Sequence, residues 1–309
     1  MIIVKIMGGL GNQMFQYALG RNIALIKNTT LKLDITWFNH FNETTTPRYY
    51  NLPKFNIVEN LASDKEIKKK IKYRIKMGRR HFLHNHLIAN KLIYIKEKRF
   101  NFDKNILNTS DDVYLTGYWQ SEKYFSSQDK QLFNKKKIKD IIRKEFTLKN
   151  KLSNHYKKHI QKIKAVGKNS VSIHIRRGDY TLDTIKNNVG LCPINYYNKA
   201  LKKISQSIQN PVFFIFTDDV NWAKNNLKLK YPMNFVSYDK INNGHKNKDY
   251  EELILMSKCK HNIIANSSFS WWGAWLNNNS NKIVIAPKRW FRNKSLNTKD
   301  LIPNTWIKI

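Results

Sequence analysis

Acidic residues are scarce in this chain. Twenty-two Asp and Glu stand against 56 Lys and Arg in 309 residues, a formal net charge of +34. Cysteine is nearly absent: Cys192 and Cys259 lie far apart, with no Cys-x-x-Cys spacing. That excludes a disulfide framework and a cysteine zinc site, and it agrees with a reducing compartment. No apolar run approaches the roughly 18 residues that a bilayer-spanning helix needs. The start, Met1-Ile-Ile-Val-Lys-Ile6, is too short and wrongly built for a secretory signal, so a cytoplasmic protein is expected.

What is present fits a folded protein of two domains. Hydrophobic content of 41% and aromatic content of 13% leave ample core. The charge excess has three readings: nucleic acid, an anionic membrane face, or an anionic substrate. It is mostly Lys, accompanied by abundant Asn and Ile, which is the usage of an AT-rich genome filling solvated positions. That cause takes most of the charge; a peripheral contact with an anionic membrane face is its one remaining functional use, and no nucleic-acid partner is expected.

Ile2–Ile6 reads as a buried strand, then Gly8-Gly-Leu-Gly-Asn-Gln13, then a helix over about 13–27, then a strand at Leu31–Asp34. This resembles a dinucleotide-binding unit, but Met14 stands where the third glycine of that fingerprint belongs. Ser63-Asp-Lys-Glu66 is a capping box opening a basic helix with Ile67, Ile71 and Ile75 on one face. Strands are predicted at 91–95 and at Val113–Thr116, where Trp119 follows as either a sugar platform or a core residue. Two lysine-rich helical patterns fill 128–164.

The second half alternates strands near 171–176, 211–217, 234–238, 262–265 and 283–286 with helical patterns, the first opening at Pro193. Such alternation predicts a parallel, doubly wound sheet whose ligand sits beyond the carboxyl ends of the strands. Polar clusters fall there: His174-x-Arg176-Arg177, Thr217-Asp-Asp219 and Asn266-Ser-Ser268. Arginine matches phosphate oxygens with a planar fork of donors, and a helix opening near Ser267 adds free N–H groups. Together they describe a pyrophosphate held by arginine, hydroxyls and helix termini. No Asp-x-Asp pair occurs; Asp249-x-Glu251 is the nearest approach, so no metal is expected.

Four motifs carry a resemblance: Gly8-Gly-Leu-Gly-Asn-Gln-Met-Phe-Gln16, His174-Ile-Arg-Arg-Gly-Asp-Tyr180, Phe216-Thr-Asp-Asp219 and Asn266-Ser-Ser-Phe-Ser-Trp-Trp-Gly-Ala-Trp275. In this order, from residue 1 to about 290, the chain is similar to the bacterial α-1,2-fucosyltransferase family. The resemblance implies an α/β, GT-B-like architecture of two facing Rossmann-like domains with a cleft between them. Residues 1–160 would form the acceptor-side domain and 161–309 the donor-binding domain. It implies inverting transfer of L-fucose from GDP-β-L-fucose to the 2-hydroxyl of a terminal β-galactoside, with neither metal nor cofactor, in a surface polysaccharide such as an O-antigen. A related GDP-sugar transferase of different linkage is the alternative.

Carried over by residue, the resemblance puts Arg176 on the β-phosphate and His174 near the nucleoside. Ser267, Ser268 and Phe269 would surround the diphosphate and fucose, with Arg177, Asp218 and Asn266 in the same donor-binding set. Gly11, Asn12 and Gln13 match a loop closing over the donor. Glu252 replaces the family's usual Asp as the acceptor for guanine N–H groups. The base is unresolved, with Asn12, Asp179 or the departing phosphate as candidates.

Overall fold

The computed structural model of the chain describes residues 1–39, 47–71, 94–126, 138–236 and 248–309. The described residues form two compact units: Met1–Lys149 with Asn297–Leu301, and Asn150–Leu296 with Ile302–Ile309. The division falls at Lys149, ahead of the boundary expected at residue 160, because the helix Asn154–Val166 packs on the second sheet. Each unit is a parallel α/β layer structure, as the sequence predicts.

In unit 1, strands β1 (Ile2–Lys5), β2 (Leu31–Asp34), β3 (Tyr94–Lys96) and β4 (Val113–Thr116) form one parallel sheet in the order β2-β1-β4-β3. Helix α1 (Leu10–Ile26) connects β1 to β2, starting earlier than its apolar spacing suggests because Gly9 serves as the N-cap. Helical residues 64–71 (α2) bury Ile67 against Ile3 and Tyr114. The capping box forms: Glu66 accepts from the Ser63 amide at 2.8 Å and hydroxyl at 2.9 Å. Residues 75, 91–93 and 128–137 of the predicted elements lie outside the described residues. Among the described residues, no helix is long and apolar enough to cross a membrane.

In unit 2, α3 (Ile138–Glu145) belongs to the preceding unit and α4 (Asn154–Val166) leads into β5 (Ser170–Ile175). Then follow α5 (Asp183–Lys186), α6 (Ile194–Ser207), β6 (Val212–Thr217), α7 (Val220–Asn226) and β7 (Met233–Phe235). The chain ends with α8 (Asp249–Lys258), β8 (His261–Ile263), α9 (Ser268–Leu276), β9 (Val284–Ala286) and β10 (Ile307–Lys308). The six strands are parallel in the order β10-β9-β8-β5-β6-β7.

Alternate residues of this sheet feed two cores. Val171, Ile173, Phe213 and Ile215 pack on the side of α6, while Phe214 and Phe216 pack with Tyr156, Leu255 and Met256 of α4 and α8. All six residues of β5 are therefore buried, Ser172 and His174 included. The alternation of apolar and polar side chains in this strand separates two interiors, not interior from solvent.

Candidate active site

An open parallel sheet makes a crevice where its strand order reverses direction. The chain steps from β5 to β6 and β7 on one side, then resumes with β8 on the other. The crevice of unit 2 therefore lies between the carboxyl ends of β5 and β8. The register, with Ile173 beside Ile263 and Ile175 beside Thr217, brings all three polar clusters to that edge.

Arg176 is held by two carboxylates. Its Nη2 donates to Asp179 Oδ1 at 2.6 Å, and its Nη1 lies 2.8 Å from Asp218 Oδ2. Burial opposes its charge, but Asp218 and then Asp179 outweigh burial and raise the guanidinium above its ordinary range. Asp218 also accepts from the Arg177 amide at 2.8 Å, and it leaves no room for a side chain at Gly178, where a methyl would stand 2.6 Å from Oδ2. The remaining donors of the Arg176 fork have no hydrogen-bond partner among the described residues, and the side chain keeps one-fifth of its surface exposed.

The rest of the predicted set divides. Arg177, expected to bind donor, lies 4.2 Å over the Trp222 ring and donates to Asp219 at 3.1 Å, so its charge holds the loop before α7. Asp179, a candidate base, is buried and its Oδ1 is committed to Arg176. Asp218 organises both arginines. Asn266 is a lock: its amide donates to the Gly190 and Trp290 carbonyls at 3.0 Å each, and its Oδ1 accepts from the Cys192 thiol. In all four the side chain is engaged by neighbouring groups of unit 2. The cluster holds more carboxylates, Asp179, Asp218 and Asp219, than guanidiniums, Arg176 and Arg177.

His174 is buried, 5.5 Å from the Phe269 ring, with Nδ1 unpartnered. Burial pushes its pKa down to about 3, so the ring is neutral near pH 7. Ser267 is the N-cap of α9 without a side-chain cap bond, and Ser268 and Phe269 form its first half-buried turn. Glu252 sits in the first turn of α8, which feeds β8 and so begins at the same edge; its Oε1 accepts from the Tyr156 phenol at 2.9 Å.

Unit 1 repeats the arrangement, with its crevice between the carboxyl ends of β1 and β4. Gln13, expected to close over a donor, is fully buried: its amide donates to the Gly8 and Tyr49 carbonyls at 2.9 and 2.8 Å and accepts from the Asn51 amide. Gly11 is buried inside α1. Asn12 is the half-buried member, accepting from Gln120 at 2.8 Å. Trp119 resolves to the core at 1% exposure, with Tyr118 beside it 41% exposed.

The family model described as glycosyl transferase family 11 matches residues 1–309. The chain belongs to this family. It is 34% identical over 318 residues to an alpha-1,2-colitosyltransferase of Escherichia coli, covering 100% of this chain and 98% of the relative. It is also 34% identical over 319 residues to the O-antigen biosynthesis glycosyltransferase WbnK of Escherichia coli, with 98% of each covered. Galactoside 2-alpha-L-fucosyltransferase Sec1 of Mus musculus is 27% identical over 143 residues, 45% of this chain and 38% of that protein.

One residue of this family 11 glycosyltransferase escapes sequence reasoning. Glu97 follows β3 at the carboxyl edge of unit 1, in the charged run Lys96-Glu-Lys-Arg99. Its Oε2 accepts from the Tyr118 amide at 2.7 Å and its Oε1 from the Trp119 amide at 3.0 Å. Its position directly after a parallel strand is the signal that could have found it.

Proposed function

We propose that the chain is an inverting α-1,2-fucosyltransferase, moving L-fucose from GDP-β-L-fucose to the 2-hydroxyl of a terminal β-galactoside in a bacterial surface polysaccharide. The observation that carries this reading is Arg176, fixed by Asp179 and Asp218 at the β5–β8 crevice with donors to spare. As the anomeric bond breaks, negative charge gathers on the β-phosphate. A pre-oriented guanidinium and the N-terminus of α9 stabilise it without reorganising. Ser267, Ser268 and Phe269 line the sugar and diphosphate, His174 meets the nucleoside side, and Glu252 accepts from the guanine N–H groups. The charge neutralisation is assigned to arginine, with no metal required.

The test is incubation of the pure protein with GDP-fucose and a galactoside panel including lactose, with and without EDTA, followed by linkage analysis. An α-1,2-fucosylated galactoside insensitive to EDTA is expected. No fucosylated galactoside would defeat the acceptor claim, and strict metal dependence would defeat the role of Arg176.

A second donor is favoured by the colitosyltransferase similarity. Colitose is 3-deoxy-L-fucose, so the two GDP-sugars differ by one hydroxyl and competition between them decides. The two free, buried thiols, Cys192 and Cys259, support a reducing, cytoplasmic location. Peripheral attachment to an anionic membrane is checked by vesicle sedimentation at low and high salt.

A further inference from the structure

We infer that Glu97 is the catalytic base that removes the proton from the acceptor hydroxyl, with the exposed Tyr118 ring beside it as the surface on which an acceptor sugar stacks. This rests on the glycosyl-transfer reading above and assigns the group which that reading leaves open.

The placement is the first argument. The strand register pairs Lys96 with Thr116, so Glu97 and Gly117 emerge side by side from the carboxyl ends of β3 and β4. The next residues, Tyr118 to Gln120, reach Asn12 of the glycine loop through the 2.8 Å Gln120–Asn12 bond. A carboxylate, an exposed aromatic ring and the glycine loop thus share one edge.

The seat is built for a carboxylate. A methyl on Gly117 would stand 2.4 Å from Glu97 Cβ and 2.8 Å from Oε2, so only glycine leaves the space. Trp119 adopts φ +56°, a strained value for a non-glycine residue, as its amide points at Oε1. Each carboxylate oxygen accepts one amide and keeps a lone pair for a further proton.

Two polar atoms of this loop have no hydrogen-bond partner among the described residues. Trp119 Nε1 and Gln120 Oε1 are buried without a hydrogen bond, in side chains 1% and 7% exposed.

The charge state suits the task. Among the described residues no cation opposes Glu97, and burial lifts its pKa to about 7, against the two amides that lower it. The phenols of Tyr118 and Tyr124 feel its charge, Asp103 and Asp300 lie beyond Tyr124, and Lys96, Lys98 and Arg99 on its own segment are exposed. Neither phenol titrates near neutrality, since both are raised above their ordinary range.

The step balances. The acceptor oxygen forms its bond to the anomeric carbon as the bond from that carbon to the β-phosphate oxygen breaks. The electron pair leaves with GDP, and the hydroxyl proton passes to Glu97, which later releases it to water.

The test is steady-state kinetics of the full-length protein from about pH 5.5 to 9, comparing wild type with Glu97→Gln, Glu97→Asp and Tyr118→Ala. Glu97→Gln is expected to lower kcat about 10²- to 10⁴-fold, to leave GDP affinity unchanged, and to abolish an acidic limb of kcat near pH 7. Glu97→Asp keeps that limb with reduced kcat, and serves if the amide variant does not fold. Tyr118→Ala raises acceptor KM about tenfold with kcat kept. An active wild type with Glu97→Gln within about threefold of it, or with the limb intact, overturns Glu97; unchanged KM in Tyr118→Ala overturns the stacking surface. A wild type inactive with both GDP-fucose and GDP-colitose sinks the transfer reading itself, a different result.

Discussion

The carboxyl edges of the two sheets share a plan and differ in electrostatics. Each has a reversal of strand order, a loop after the first strand, and a glycine whose missing side chain makes room for a carboxylate: Gly178 for Asp218, Gly117 for Glu97. In unit 2 the carboxylates are cross-paired with Arg176 and Arg177, and His174 is kept neutral by burial. In unit 1 the carboxylate has amides but, among the described residues, no cation, and its pKa rises to about 7. Pairing fixes charge, which suits stabilising a departing diphosphate. Isolation leaves charge adjustable, which suits moving a proton.

The largest effect that sharpens this contrast is expected from Arg176→Ala. Turnover should fall about 10³-fold, and stability by about 3 kcal/mol, because two buried carboxylates lose their partner. Adding Asp218→Asn should restore melting temperature but not turnover; restored turnover would dissolve the distinction between the edges. Gly117→Ala, which displaces Glu97, should lower kcat about 10- to 100-fold with GDP affinity unchanged, measured by calorimetry and initial rates.

The two edges should also respond oppositely to pH. Glu97 holds its proton in the fold up to about 7 against an ordinary 4.5, so its contribution to stability is present below 4.5 and lost as pH rises through 7. His174, at about 3 in the fold against 6.5, contributes stability above 6.5 that is lost as pH falls. Denaturant unfolding across pH should show Glu97→Gln gaining on wild type by on the order of 2 kcal/mol between pH 5 and 8. The smallest effect belongs to Asp219→Ala, which removes the 2.9 Å cap on the Trp222 amide and the partner of Arg177. A loss of about 1 kcal/mol is expected by thermal melting.

Strand–helix alternation made the unit 2 sheet readable, and β4 falls where its apolar run places it. The polar clusters were equally visible, because residues that end parallel strands must gather at one edge. Their individual tasks were not. Gln13 and Asn266 look like ligand-binding residues in a motif, yet both spend their amides on backbone carbonyls of distant loops. Buried amides with long-range partners leave the same imprint on a sequence as contacts to substrate. Glu97 was hidden for the opposite reason: three basic neighbours in sequence suggest a paired surface charge, whereas the fold turns them to solvent and the carboxylate inward.

Residues 297–301 return to unit 1 from within the second half of the chain. Asp300 there accepts from the Phe102 amide and Lys123, and its carbonyl takes the Ser121 hydroxyl at 2.7 Å. Unit 1 is consequently encoded in two separated pieces of the gene. A single recombination near residue 149 would give a chimera whose first half meets a foreign version of this segment. Diversity of unit 1 in such enzymes is then expected to arise by substitution within its loops, or by paired exchange of both pieces, instead of by shuffling a whole half.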